Sequence, residues 1–154
     1  MEKQIMDVKK INRMKKFVIA VAILEIAYAL PLIMPFSVKS APNLLNYLNI
    51  VLGLGGKEYS IASDSINALF LIQSLALSVL FMGMVLIYAS RNLKERASLL
   101  LMAASIKIIF SFLWIYYIIE EDIARILGSL VIFDIVVVGI FIYMYRSIKY
   151  SANR

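Results

Sequence analysis

Four long apolar stretches, separated by short polar or charged connections, set the pattern of this chain. Each is close to the ~20 residues a helix needs to cross ~30 Å of hydrocarbon. The pattern predicts spans over residues 17–36, 66–89, 97–119 and 123–145. Ahead of the first lies a basic segment, 1–16, in which Ile5, Val8, Ile11 and Met14 recur at helical spacing. It reads either as a short interfacial helix with its cations on anionic headgroups, or as a solvated flank that only sets topology. A basic start before an apolar run also fits a signal peptide. This run is longer than such a core and contains Glu25, so it is read as a retained span. Pro31 and Pro35 fall in its last turns, where a kink or stop is expected.

The connection 37–65 is the longest, and it has a pattern of its own. After Pro42, the residues Leu44, Leu45, Leu48, Val51 and Leu52 form one stripe, with Asn43, Asn46 and Asn49 away from it. That predicts an amphipathic surface helix over about 42–53, lying on the membrane or capping the bundle. Gly53, Gly55 and Gly56 end it, and Asp64 or Ser65 can cap the next helix. In the second span Ser74-x-x-x-Ser78 is a small-residue pair suited to close helix contact, and Ala124-x-x-x-Gly128 is another at the start of the fourth. The short connections at 91–96 and 120–122 make spans two, three and four antiparallel neighbours.

Composition sharpens the class. Hydrophobic residues make up 62% of the 154, against ~45–50% in a soluble domain, so the outside as well as the core is apolar. With no Cys and no His, thiol exchange, thiolate metal sites and bis-histidine haem ligation are excluded, and no metal or other cofactor is expected. The net charge of +6 does not point to nucleic acid, because the basic residues flank apolar spans. Twelve of the sixteen Lys and Arg lie in 1–16, in the 91–96 turn and in the tail 146–154. The positive-inside rule then puts both termini in the cytoplasm, in a plasma or inner membrane. Trp114, Tyr116 and Tyr117 at one end, and Tyr88, Tyr143 and Tyr145 at the other, suit aromatic belts. Arg125 near the outer interface can hold headgroups or pair weakly with Glu121 or Asp122.

Three charges fall inside the spans. Counted from the cytoplasmic ends, Glu25 lies ~12 Å deep, Lys107 ~15 Å and Asp134 ~18 Å, which is one layer to within a helical turn. The stem of Lys107 reaches only ~6 Å and cannot snorkel to the interface. Each lone charge costs roughly 2.5–3.5 kcal/mol on insertion scales, so the three are expected to face inward and meet. Small neighbours agree: Ala22 and Ala29 around Glu25, and Ala103, Ala104 and Ser111 around Lys107. Asp134 has the more apolar neighbours Leu130, Val131, Val137 and Val138. One ammonium neutralises one carboxylate, so the second acid is expected to hold an exchangeable proton. The candidate ligand- or proton-binding residues are therefore Glu25, Lys107 and Asp134, with Gln73, Ser74, Ser78, Ser111 and Tyr28 beside them. A purely structural role, fixing helix register, competes with this. For Gln73, Ser74 and Ser78, packing and interhelical hydrogen bonds are the simpler expectation.

The order of features resembles that of DoxX-like small four-helix membrane proteins. Leu24-Glu25-Ile26-Ala27-Tyr28-Ala29-Leu30 running to Pro35, the segment Leu44-Leu45-Asn46-Tyr47-Leu48, and Arg125-Ile126-Leu127-Gly128-Ser129 with Asp134 carry the likeness. It implies a four-helix membrane fold and, among the group's mixed roles, subunits and accessories of membrane oxidoreductases or membrane chaperones. The first helix, at Ala22-Ile23-Leu24-Glu25, is also similar to the proton-coupling glutamate region of small multidrug transporters. Lys107 and Asp134 depart from that second pattern.

The expected protein is an all-α, integral membrane four-helix bundle with one amphipathic surface helix, forming a single domain. Its leading reading is a non-catalytic subunit, accessory or small-ligand-binding module built on the charge cluster. The alternatives are a dimeric proton-coupled small-molecule transporter and an intramembrane enzyme acting on lipid or quinone. Expected partners are membrane lipid and either a second copy or a membrane complex.

Overall fold

The computed structural model describes residues 2–34, 37, 40–58, 66–120, 122 and 125–152. Among these the fold is all-α, with five helices: α1 (Glu2–Ile33), α2 (Ala41–Val51), α3 (Ile66–Arg91), α4 (Ser98–Glu120) and α5 (Leu127–Ala152). The helices α1, α3, α4 and α5 are long and apolar enough to cross a membrane, and α2 is the short extra helix.

The helix ends differ from the sequence expectation in instructive ways. Residues 1–16 do not form a separate interfacial helix: from Glu2 the chain is one helix through to Ile33, since nothing breaks helical periodicity before Pro31. Its basic part is held by packing rather than left as a flank. Met14 is buried in the core, Ile11 packs against it, and the Lys10 ammonium lies 5.6 Å from the centre of the Tyr143 ring on α5. The first helix also stops at Ile33, short of the expected Phe36, which lies outside the described residues. α5 starts at Leu127 rather than 123: Asp122 takes φ 52°, and the N–H groups of Arg125 and Ile126 are engaged by the long connection. It then runs on through Ala152, so most of the expected tail is helix. The expected caps Asp64 and Ser65, and Ala124 and Glu121, lie outside the described residues.

The backbones approach most closely in two pairs, α1 with α3 and α4 with α5, while α3 meets α4 more sparsely. The α1/α3 contact centres on Gly83. A Cβ there would stand 2.7 Å from Ile26 Cγ1 and 2.9 Å from the Ala22 carbonyl oxygen, so only glycine lets the two backbones approach this closely. Ser78 takes no part in the expected Ser74/Ser78 contact. Ser78 is exposed, and its hydroxyl donates to the Ser74 carbonyl of its own helix (3.0 Å), the usual fate of a helical serine in apolar surroundings. Gly128 likewise has nothing against it. The expected neighbours α4 and α5 are a close pair, but the tightest partner of α3 is α1.

Apolar packing falls into two clusters. The larger contains Val18 and Ala22 of α1, Leu86 of α3, Leu100 and Ala104 of α4, and Val137 and Phe141 of α5, and it fills the end of the bundle that carries the termini. The smaller centres on Ile126 and Leu127, with Leu45, Trp114, Ile118 and Leu130 around them, at the opposite end where the long connection sits.

That connection is clasped to the start of α5. Gly53, Gly55 and Gly56 adopt φ 62°, 76° and 90°, and so turn the chain out of α2 as expected. Asn49 lies off the leucine stripe, as expected, and is buried; its Nδ2 donates to the Gly55 carbonyl and its Oδ1 accepts from the Ile126 N–H, both at 2.9 Å. The N–H of Lys57 donates to the Asp122 carbonyl (2.6 Å) and that of Arg125 to the Gly55 carbonyl (3.3 Å). Most of the leucine stripe turns outward: Leu44, Val51 and Leu52 are 60–63% exposed and Leu48 38%, while Leu45 packs on the Ile126/Leu127 cluster. Pairing the Ile126 N–H and the Gly55 carbonyl sets which face of α2 meets the protein, because an unpaired buried backbone group costs more than one apolar contact adds.

Candidate functional site

The charge cluster forms at mid-height between the two helix pairs. Glu25 comes from α1, Lys107 from α4 and Asp134 from α5, and the Lys107 Nζ pairs with Glu25 Oε1 and with Asp134 Oδ1, the latter at 2.5 Å. The three side chains are 13%, 8% and 21% exposed, so all are largely shielded by the bundle. Register explains the meeting. α1 and α4 run the same way, and α5 runs back, so Glu25, Lys107 and Asp134 are brought to one level. The small residues that were expected to admit this are themselves buried: Ala22, Ala29, Ala103, Ala104 and Ser111.

The cluster does different work on its two sides. Lys107–Asp134 lies within the α4/α5 pair. Lys107–Glu25 crosses the seam to α1, whose backbone does not approach α4 or α5 closely. A doubly engaged ammonium between two acids is thus a polar bolt between the two helix pairs. One of its three N–H donors remains for a further acceptor.

The remaining candidates divide. Gln73 is interhelical, as expected: its Nε2 donates to the Ile33 carbonyl (3.1 Å), one of the acceptors that the end of α1 leaves without a helical partner. It closes α1 rather than joining the charges, and Ser37 Oγ does the same for the Pro31 carbonyl (2.6 Å). Ser74 is half-buried on α3, and its carbonyl takes the Ser78 hydroxyl. Tyr28 is 41% exposed, one turn along α1 from Glu25. Ser111 is buried one turn from Lys107, and its hydroxyl has no hydrogen-bond partner among the described residues. Arg125 pairs with Asp122 at 3.6 Å on the exposed rim, the weak surface contact expected of it.

Two residues that shape the site were not singled out from sequence. Gly83 sets the α1/α3 distance beside Glu25, and a lone glycine in an otherwise bulky apolar span was the available signal. Asn49 fixes the loop end, and its position just before a run of glycines was the cue.

Among the described residues no cluster of three or more acidic, His or Cys side chains could hold a metal ion. No protein-family model, curated protein or solved structure matches the chain.

Proposed function

We propose that this chain is an integral membrane protein, crossing the bilayer four times with both termini in the cytoplasm, and that it serves as a non-catalytic membrane module. Its role is that of a subunit, accessory or small-ligand binder, organised by Glu25, Lys107 and Asp134. The observation that carries this reading is the bridging of Lys107 between two acids on different helix pairs. The charge most available for chemistry is already committed to holding the bundle together. Orientation is supported by the basic termini and by cations over aromatic rings at that end: Lys10 on Tyr143, and Arg96, 3.7 Å from the Tyr88 ring centre. The layout resemblance to DoxX-like proteins favours a subunit or accessory. The test is purification in mild detergent with crosslinking. A stoichiometric membrane partner is expected, and a partner-free protein that moves protons or solutes in liposomes overturns the reading.

A second reading has its own observation: two acids face one base, which leaves room for one proton to come and go. On that reading the chain is a proton-coupled transporter of small molecules, acting as a dimer. Uptake driven by a pH gradient and abolished by Glu25→Gln would establish it.

A further inference from the structure

The layer next to the charge cluster on the loop side differs from the layer on the terminal side. One turn on from the charges, Ala29 lies on α1, Ser111 on α4 and Val131 on α5, with Ala76 of α3 within about 3 Å of the same height. All four are buried, yet the three apolar ones belong to neither packed cluster. On the other side of the charges the seam between the helix pairs is closed by Leu86, Leu100, Val137 and Phe141. On this side the wall offers two methyl groups, a valine and a hydroxyl. Ala29 and Ala76 belong to the close α1/α3 pair and send nothing long across the seam.

The behaviour of the hydroxyl is the second, independent observation. Ser78 and Ser105 each donate to the carbonyl four residues back, at 3.0 Å in both. That is how a helical serine satisfies itself without a partner. Ser111 is 5% exposed and does not do so. Its own back-bonding acceptor would be the Lys107 carbonyl. A buried, unpaired hydroxyl costs free energy, and native structures usually meet that cost with ordered water.

We propose that Ser111 holds a buried water in this layer, and that the water exchanges the surplus proton of the Glu25/Asp134 acid pair. Lys107 engages one oxygen of each acid, Oε1 and Oδ1. The groups proposed to hold it are the second carboxyl oxygens, the third ammonium N–H and the Ser111 hydroxyl, against the two to four partners such a water needs. Exchange swaps a carboxyl proton for one of water, one O–H bond breaking as another forms, with no net change of charge. The ionisable groups facing the layer are Glu25 from α1, Lys107 from α4 and Asp134 from α5. The packed part of α3 brings none between Ile66 and Met84, where its polar residues are Asn67, Gln73, Ser74 and Ser78. The proposal rests on placing the cluster within a membrane, not on the choice between module and transporter.

The test is infrared spectroscopy of the full chain in lipid nanodiscs, following the protonated carboxyl band after transfer to deuterated water. A Thr/Val pair at Ser111 isolates the hydroxyl, because the two side chains have nearly the same shape. The band is expected in the parent and lost in a Glu25→Gln, Asp134→Asn double variant. Ser111→Thr should exchange at the parental rate, and Ser111→Val should be slower by roughly five- to tenfold, the occupancy given up with one hydrogen bond. Absence of any protonated carboxyl band, or equal exchange in the Thr and Val variants, overturns the proposal. Either result leaves the partner experiment above untouched.

Discussion

The two ends of this bundle solve the same packing problem by opposite means. At the terminal end, the helix pairs are joined by large apolar side chains, with Phe141, Leu86, Leu100, Val18 and Val137 all fully buried and Phe17 edge-on to Phe141. At the loop end, the layer next to the charges offers Ala29, Ala76, Val131 and Ser111, and beyond it a smaller cluster around Ile126 and Leu127 is clasped by hydrogen bonds around Asn49 and the glycine-rich connection. The charge cluster marks the boundary. Where the solvent is apolar, greasy contacts give little preference for protein over lipid, so shape and polar pairing decide which surfaces meet. One end relies on shape alone, and the other adds backbone pairing to a smaller apolar cluster.

The sharpest way to break this picture is to remove the bolt between the halves. Lys107→Met leaves two acids buried without a cation, and should cost about 3–5 kcal/mol. Thermal unfolding in nanodiscs would read it. Adding Glu25→Gln and Asp134→Asn should restore most of the loss, because no unpaired charge is left. If the single variant were as stable as the parent, the cluster would not join the pairs.

Phe141→Ala tests the filled end alone and should cost about 3–5 kcal/mol through the cavity it opens. The same unfolding measurement reads it, and a small loss would mean that lipid or neighbouring side chains take up the space.

Asn49→Ala addresses the other end. It orphans the Ile126 N–H and the Gly55 carbonyl, for about 1–3 kcal/mol. The effect should be local. Amide exchange should quicken at 55–58 and 122–127 while the amides around Val18 and Phe141 keep their protection. Uniform quickening would show that the two ends are not separable.

The smallest effect is expected from Tyr143→Leu, which takes the ring from under Lys10. About 0.5–1 kcal/mol is at stake, and it should fade as salt rises. A salt-independent loss would assign the residue to packing instead.

Much of the site was legible before any fold was known. A charge in the middle of an apolar span must be answered by opposite charge, and the chain holds one candidate on each of two other spans. Depth counting therefore brought Glu25, Lys107 and Asp134 together. The placement of Ser74, Ser78 and Gly128 was not legible in this way, because a small residue in a span permits a contact without choosing its partner. The burial of Asn49 against the start of α5 was not legible either, for a related reason. Helical amphipathicity says which residues share a face, but not whether that face meets protein or lipid.

What the sequence determined by itself was therefore the set of long apolar helices and the level at which the charges lie. Both follow from local hydropathy and from a rise per residue that no tertiary contact alters. Only the tertiary structure decided that α1 pairs with α3 at Gly83, that most of the leucine face of α2 turns out, and that the Ser111 hydroxyl has no partner among the described residues. Those outcomes depend on which surfaces approach across the seam, and the apolar side chains that cover every face of the long helices carry almost no information about that choice.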